Sequence, residues 1–372
     1  MFANGAGRGQ LGERMAERIQ PELSAKMANM SIVSAFLIVA MHGYSMMSIP
    51  AFGTMPWWFY KLFKESFTDI AVPYFFCASA FFFAGHVEER GWFKKSILKR
   101  VKTIVVPYVL WVLVAIPIKL LGLVVQNKLT GKYIWEGCDF SVRRFVSGFG
   151  LTLDSPDPTI LWFLRSLFVF MLISPILFYA LKRWGVCVIV LLFACNYLLM
   201  PLGYLNRIIQ YVGSISLLSI NGLTYFALGA WMRIKPQMGW KDFCRCGKYV
   251  WPVLVIMIVA RMILLSKGFS YQGLIDKSVI PVALLAVWCV IPVHPLPSWL
   301  TSASFPVYLI HPFLFYFVYG LTTALYCNRL MVNNLCPYLL MVLSVFTASV
   351  LVMLMMRRYL PVASRLLFGG RQ

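Results

Sequence analysis

Residues Thr103–Val125 read TIVVPYVLWVLVAIPIKLLGLVV, with Lys119 the only charged side chain in the run. At about 1.5 Å of rise per residue such a helix is roughly 35 Å long. A hydrocarbon core is about 30 Å thick. A run this long and this apolar predicts a membrane-crossing helix. Comparable runs recur along the chain, over about Met30–Met47, Ile70–Gly85, Thr159–Leu181, Gly185–Leu202, Ser216–Met232, Val250–Ser266, Val279–Val293, Ala303–Leu325 and Cys336–Met356. The expected fold is therefore an all-α integral membrane protein, a bundle of about ten transmembrane helices.

Composition agrees. The chain of 372 residues is 60% hydrophobic and 13% charged, whereas a soluble domain is about 45–50% apolar and about 25% charged. The expected organisation is a cytoplasmic N-terminal tail over 1–29, the ten-helix unit over 30–356 and a basic cytoplasmic tail over 357–372. No cleavable signal is expected, because about thirty polar residues of mixed charge precede the first apolar run. Nine scattered cysteines, with no second pair at ligand spacing near Cys244 and Cys246, suggest neither a disulfide framework nor a metal site.

Orientation follows from Lys and Arg, which concentrate in cytoplasmic loops. With the N-terminus inside, the inner segments hold 21 of them and the outer segments 10. Both termini then face the cytoplasm, as an even number of spans requires. The net charge of +21 is spread over separate loops, where it sets topology and meets anionic head groups. That spread argues against a nucleic-acid partner.

Lys119, Arg165 and Arg261 remain inside the spans, with His42 and His311. Lys119 lies near a helix end and can snorkel. All thirteen Asp and Glu fall in loops or at helix ends, so Arg165 and Arg261 are expected to lack a buried protein anion. Intramembrane charges usually face a partner or a wet cavity, and an anionic ligand is the natural candidate. The shortage of acids also weighs against a proton-coupled transporter.

Spacing places the histidines. Ser304, Tyr308, His311 and Phe315 share one helix face, and Pro312 frees the Tyr308 carbonyl one turn back. Ser31, Ser34, Ala35, Ile38, His42 and Ser45 form a second stripe, mostly small, that permits close packing or leaves room for a ligand. His42 lies about 16 Å along its helix from Ser31, and His311 about 12 Å from Ala303. Both helices run in the same direction, so the two rings are expected at similar depth, able to meet in one cavity. Taken singly, each histidine is equally well explained by a structural hydrogen bond between helices.

These segments resemble the membrane acyltransferase family 3, ten-helix bacterial enzymes that O-acylate sugars. The resemblance runs from about Ser31 to Met356. It rests on FLIVAMHGYS with His42, and on AVPYFFCASAFFFAG with Val72, Pro73, Phe75, Phe76, Ser79 and Phe81. LKRVKTIVVPYVLWVL follows, with Lys99, Arg100, Lys102, Pro107, Tyr108 and Trp111, then LWFLRSLFVF, YFALG and SFPVYLIHPF. The motifs occur in the family's order. One position departs: the family's usual arginine eleven residues before the histidine is Ser31 here, with Lys26 and Asn29 nearby but out of register.

The resemblance implies a multi-pass protein of the bacterial inner membrane that transfers an acyl group from acyl-CoA, a co-substrate, to a saccharide or glycolipid hydroxyl. No permanently bound cofactor is implied. Acetyl is the family's habit and succinyl is open. Such chemistry needs a base, which a neutral imidazole supplies near pH 7, donors for the oxyanion and cations for the donor's phosphates. His42 is expected as base or acyl acceptor, and Tyr308 and His311 as the groups that orient the reactants. Lys99, Arg100 and Lys102 are expected to hold acyl-CoA, and Trp162 and Arg165 to serve the acceptor. The competing class is a flippase or exporter of an anionic or lipid-linked glycoconjugate, which would move its substrate without consuming a thioester.

Overall fold

The computed structural model describes residues 20–45, 53–130, 159–199, 219–235, 241, 245–267, 274–326 and 335–370. Among these residues the chain is helical throughout, without a strand. In lipid every backbone N–H and C=O must find a partner within the protein, which a helix provides locally. The helices are α1 (Pro21–Ser45), α2 (Met55–Phe59), α3 (Ala71–Ala84), α4 (Trp92–Arg100), α5 (Val106–Thr130), α6 (Trp162–Ala194), α7 (Ile220–Ile234), α8 (Gly247–Ser266), α9 (Leu274–Val290), α10 (Ser298–Thr301), α11 (Ser304–Tyr326), α12 (Leu335–Tyr359) and α13 (Pro361–Leu367).

Six helical stretches among the described residues are long and apolar enough to cross a membrane: Pro21–Gly43, Met55–Ala84, Trp92–Ile118, Trp162–Leu198, Gly247–Ser266 and Leu335–Tyr359. Ser278–Val290 and Ser304–Phe315 are apolar but shorter. Residues 46–47, 200–202 and 216–218 of the expected spans lie outside the described residues. The fourth and fifth expected spans form one helical run, α6, broken at Trp184 (φ −128°, ψ 30°). That break falls in the gap between the two expected spans. Their combined 37 residues would stretch about 55 Å, nearly twice one hydrocarbon core.

Two ends differ from expectation. The first helix begins at Pro21, nine residues before Met30. Helix α9 stops at Val290 because Ile291 precedes Pro292, and a residue before proline is pushed out of the helical region. Ser219 caps α7 by accepting the Gly222 N–H at 3.1 Å. A π-helical turn, Val101–Val105, joins α4 to α5. Pro107 has no N–H to offer the Thr103 carbonyl four residues back, and the wider turn accommodates that loss.

Helix α11 sits centrally, packed on α1, α5 and α12. The most extensive helix contact is α3 with α7, and Gly229 makes it possible. A Cβ there would lie 2.0 Å from the Cys77 carbonyl oxygen. Gly229→Val is expected to abolish folded protein, read as loss of the monodisperse peak in detergent chromatography. Leu228→Val, one residue away, should keep it.

Four segments expected on the inner side gather at one end of the bundle. Lys182 pairs with Glu88, Lys241 with Glu22 at 3.0 Å, and Trp231 leaves no space for a side chain at Gly185. The C-terminal residues, expected as part of a basic tail, continue this end as a folded hook. Helix α13 packs against α12 and α5, and Phe368 is fully buried. Gly369 follows at φ +65°, where a Cβ would lie 2.5 Å from the Thr103 oxygen. Only glycine combines that conformation with that approach.

Candidate active site

Helix α1 carries His42 and helix α11 carries His311. Their ring centroids lie 5.2 Å apart, tilted by 38°. The expected convergence of the two histidines is thus present in the fold. His311 is fully buried, and its Nδ1 lies 3.0 Å from the Val307 carbonyl oxygen. A carbonyl can only accept, so Nδ1 carries the proton and Nε2 carries a bare lone pair. That Nε2 is buried and has no hydrogen-bond partner among the described residues. His42 is the more accessible ring of the pair.

Aromatic side chains wall the pair. Phe315 meets His311 edge-on with centroids 6.1 Å apart, and the Tyr308 ring lies 6.5 Å away. The Tyr308 hydroxyl donates to the Ile160 carbonyl, and Phe163 packs edge-on against its ring at 5.6 Å. Tyr308 therefore ties α11 to the start of α6 beside His311. Trp111 stacks on Phe313 at 5.3 Å and donates its indole N–H to the Leu367 carbonyl at 3.1 Å. The C-terminal hook thus reaches a residue two positions from His311, a connection that no local pattern announced.

The other expected residues occupy distinct places. Arg165 is buried, 8% exposed, within electrostatic range of Tyr108, which is itself in range of Tyr308. Trp162 is half-buried, its ring 6.2 Å from Phe76. Arg100 is half-buried, its guanidinium 5.8 Å from the Phe83 ring centre. Lys99 and Lys102 are exposed at the same end of the bundle. His42, His311 and Tyr308 form one cluster of rings, and Arg165 lies within electrostatic range of it only through Tyr108. Tyr108 lies eight residues past Arg100, about 12 Å along a helix.

One expectation is corrected. Arg261 was expected to lack a protein anion, yet it pairs with Glu65. It also donates to Ser66 Oγ at 3.1 Å and to the Lys61 carbonyl at 3.3 Å. Glu65 stands in the turn before α3 and bonds Lys61 at 2.8 Å. Folding brings that turn against α8, so a carboxylate that looks like a loop residue in sequence meets a guanidinium from within a span. Arg261 is thus paired with a carboxylate of the protein.

The departure at Ser31 is also resolved structurally. Ser31 Oγ donates to the Met27 carbonyl at 2.8 Å and lies 3.2 Å from the Tyr74 hydroxyl. Lys26 and Asn29 are both buried. Lys26 donates to the Ile291 carbonyl and stands 5.1 Å over the Trp288 ring. Asn29 donates to the Pro292 and His294 carbonyls at 3.0 and 2.8 Å, and accepts the Leu296 N–H at 3.2 Å. These residues pin α1 to the segment before α10. They do not supply a cation to the histidines.

A family model described as an acyltransferase domain matches residues 29–354. The chain is a membrane acyltransferase of family 3. The match includes both histidines, the aromatic wall and the α3–α7 contact. No curated protein and no solved structure matches the chain. Membership makes this acyltransferase an enzyme with an acyl donor and an acceptor, and its apolar helices make it a multi-pass membrane protein.

Proposed function

We propose that this acyltransferase moves an acyl group, acetyl in the first instance, from cytoplasmic acyl-CoA to a hydroxyl of a cell-envelope saccharide or glycoconjugate, in a bacterial inner membrane crossed ten times with both termini inside. The observation that carries the reading is the His42–His311 pair with its bare, buried Nε2. A small rotation lets an N–H of His42 donate to His311 Nε2, whose Nδ1–H already donates to Val307. That chain fixes which His42 nitrogen stays unprotonated, as a base with a set tautomer requires.

The acceptor hydroxyl gives its proton to His42 as its oxygen attacks the thioester carbonyl carbon. The carbonyl becomes an oxyanion that hydrogen-bond donors stabilise, while Trp162 and Arg165 serve the acceptor. Collapse re-forms the C=O bond and breaks the C–S bond. The thiolate leaves with the electron pair and takes up the proton held by His42. Tyr308 acts as a positioning residue, since its hydroxyl is committed to Ile160.

Arg100, Lys99 and Lys102 hold the donor's phosphates at the end of the bundle where Lys182, Glu88, Lys241 and Glu22 also gather. The direct test supplies labelled acetyl-CoA to purified protein in detergent and follows free thiol. Steady thiol release that rises with added envelope glycan is expected; movement of glycan without thioester consumption would overturn the reading. Arg100→Ala combined with Lys102→Ala is expected to raise the apparent KM for acetyl-CoA by about tenfold or more, since hydrogen bonds to charged groups are each worth about 1.5–3 kcal/mol. An unchanged KM would remove both from the donor site.

A further inference from the structure

Hydroxyls inside membrane helices usually bond back to a carbonyl one turn earlier. Ser31, Thr224 and Ser349 do so at 2.7–2.8 Å, to Met27, Ile220 and Val345 respectively. Ser34 does not. It is fully buried, its Oγ has no hydrogen-bond partner among the described residues, and it shares the His42 face of α1. Thr103 Oγ1 is likewise buried and without a partner among the described residues. A buried hydroxyl left unpaired costs about 1–3 kcal/mol, so two of them near a reaction centre call for a reason.

Register places the two hydroxyls at one height. Helices α1 and α11 run parallel, because Asn29 meets Pro292 and His294 while His42 meets His311. Eight residues before His42 is Ser34, and eight before His311 is Ala303. Helices α5 and α11 also run parallel, with Tyr108 in range of Tyr308 and Trp111 stacked on Phe313. Five residues before Tyr108 is Thr103, and five before Tyr308 is again Ala303. Ser34 and Thr103 therefore flank α11 at one depth, about 12 Å from the histidine pair, towards the end that carries Arg100 and Lys102.

Resting on the acyl-CoA reading, we infer that Ser34 and Thr103 hydrogen-bond the amide-bearing arm of the donor as its thioester reaches the histidines. Between the thioester and the phosphates that arm has two amides and a hydroxyl-bearing terminal unit. At roughly 1.2 Å per bond of extended chain, its outer amide and hydroxyl lie about 9–11 Å from the thioester sulfur, close to the height of Ser34 and Thr103. In a dry helix bundle each amide needs partners, and two hydroxyls, each able to donate and accept, supply them.

The test measures acetyl-CoA and S-acetyl-N-acetylcysteamine, which keeps the thioester and a single amide, on the full-length enzyme in detergent. Ser34→Ala and Thr103→Val are each expected to raise KM for acetyl-CoA about three- to tenfold, the equivalent of one neutral hydrogen bond, with a much smaller change in kcat. The increase should shrink for the short thioester. Removing an unpaired hydroxyl should also hold or raise the Tm of the ligand-free protein. An unchanged KM for acetyl-CoA overturns the inference, and so does a Tm that falls in the ligand-free variants, because the hydroxyls would then be packing groups. If the wild-type enzyme consumes neither thioester, the acyl-CoA reading fails first and the inference falls with it.

Discussion

Replacing His42 with alanine is expected to lower acyl transfer by about two to four orders of magnitude, the usual contribution of a positioned general base. The protein should insert and accumulate normally, because among the described residues the His42 side chain is seen only in its ring contact with His311. His311→Ala should produce a loss of similar size, since it removes the group that sets the His42 tautomer. If the two rings act as one unit, the double variant should be little worse than either single variant. Thiol release from acetyl-CoA, compared at equal amounts of monodisperse protein, measures all three. Wild-type turnover by His42→Ala would remove the base from the mechanism. A fully additive double variant would show that the rings act separately.

Glu65→Ala carries the second large effect, on stability. Arg261 is 1% exposed, and removing the Glu65 carboxylate takes away its ion-pair partner while the bonds to Ser66 and the Lys61 carbonyl and the electrostatic contact with Asp69 remain. Breaking a buried pair from one side costs about 3–5 kcal/mol. Glu65 keeps 17% of its side-chain surface, so the lower end, about 3 kcal/mol, is expected. Thermal unfolding in detergent should show a clear drop in Tm. The companion variant, Glu65→Ala with Arg261→Met, should recover most of it, because an apolar side chain in that place needs no partner. A Tm unmoved by Glu65→Ala would mean that the pair is a solvated contact that does not lock the helical stretch Met55–Glu65 to α8.

Much of the architecture was legible in one dimension. Hydropathy runs marked where helices lie, the gap at residues 182–184 fell on the break at Trp184, and the spacing of His42 and His311 along parallel helices brought their rings within 5.2 Å. These features depend on period and rise, which are local. The helix start was less legible. Lys26 and Asn29 look like tail residues because they are polar, yet both are buried. Their partners are backbone carbonyls more than 260 residues away, and a carbonyl leaves no mark in a sequence. Glu65 escaped for the same kind of reason. Its i,i+4 partner Lys61 was visible, but the guanidinium it meets is 196 residues distant. The C-terminal hook read as a charged tail because what commits it to the bundle, the burial of Phe368, the close approach of Gly369 and the Leu367 carbonyl that Trp111 bonds, leaves little mark in a short basic segment.

By itself the sequence determined the class of fold, the order of the helices, the family motifs and the two titratable rings, because length, hydropathy and side-chain period are properties of a segment alone. Tertiary structure decided which polar groups were satisfied. It paired Arg261 with Glu65, turned Lys26 and the Tyr308 hydroxyl to carbonyls, and left His311 Nε2, Ser34 Oγ and Thr103 Oγ1 without a partner among the described residues. That division is physical: a hydrogen bond between helices depends on which faces meet, and facing is set by the packing of the whole bundle.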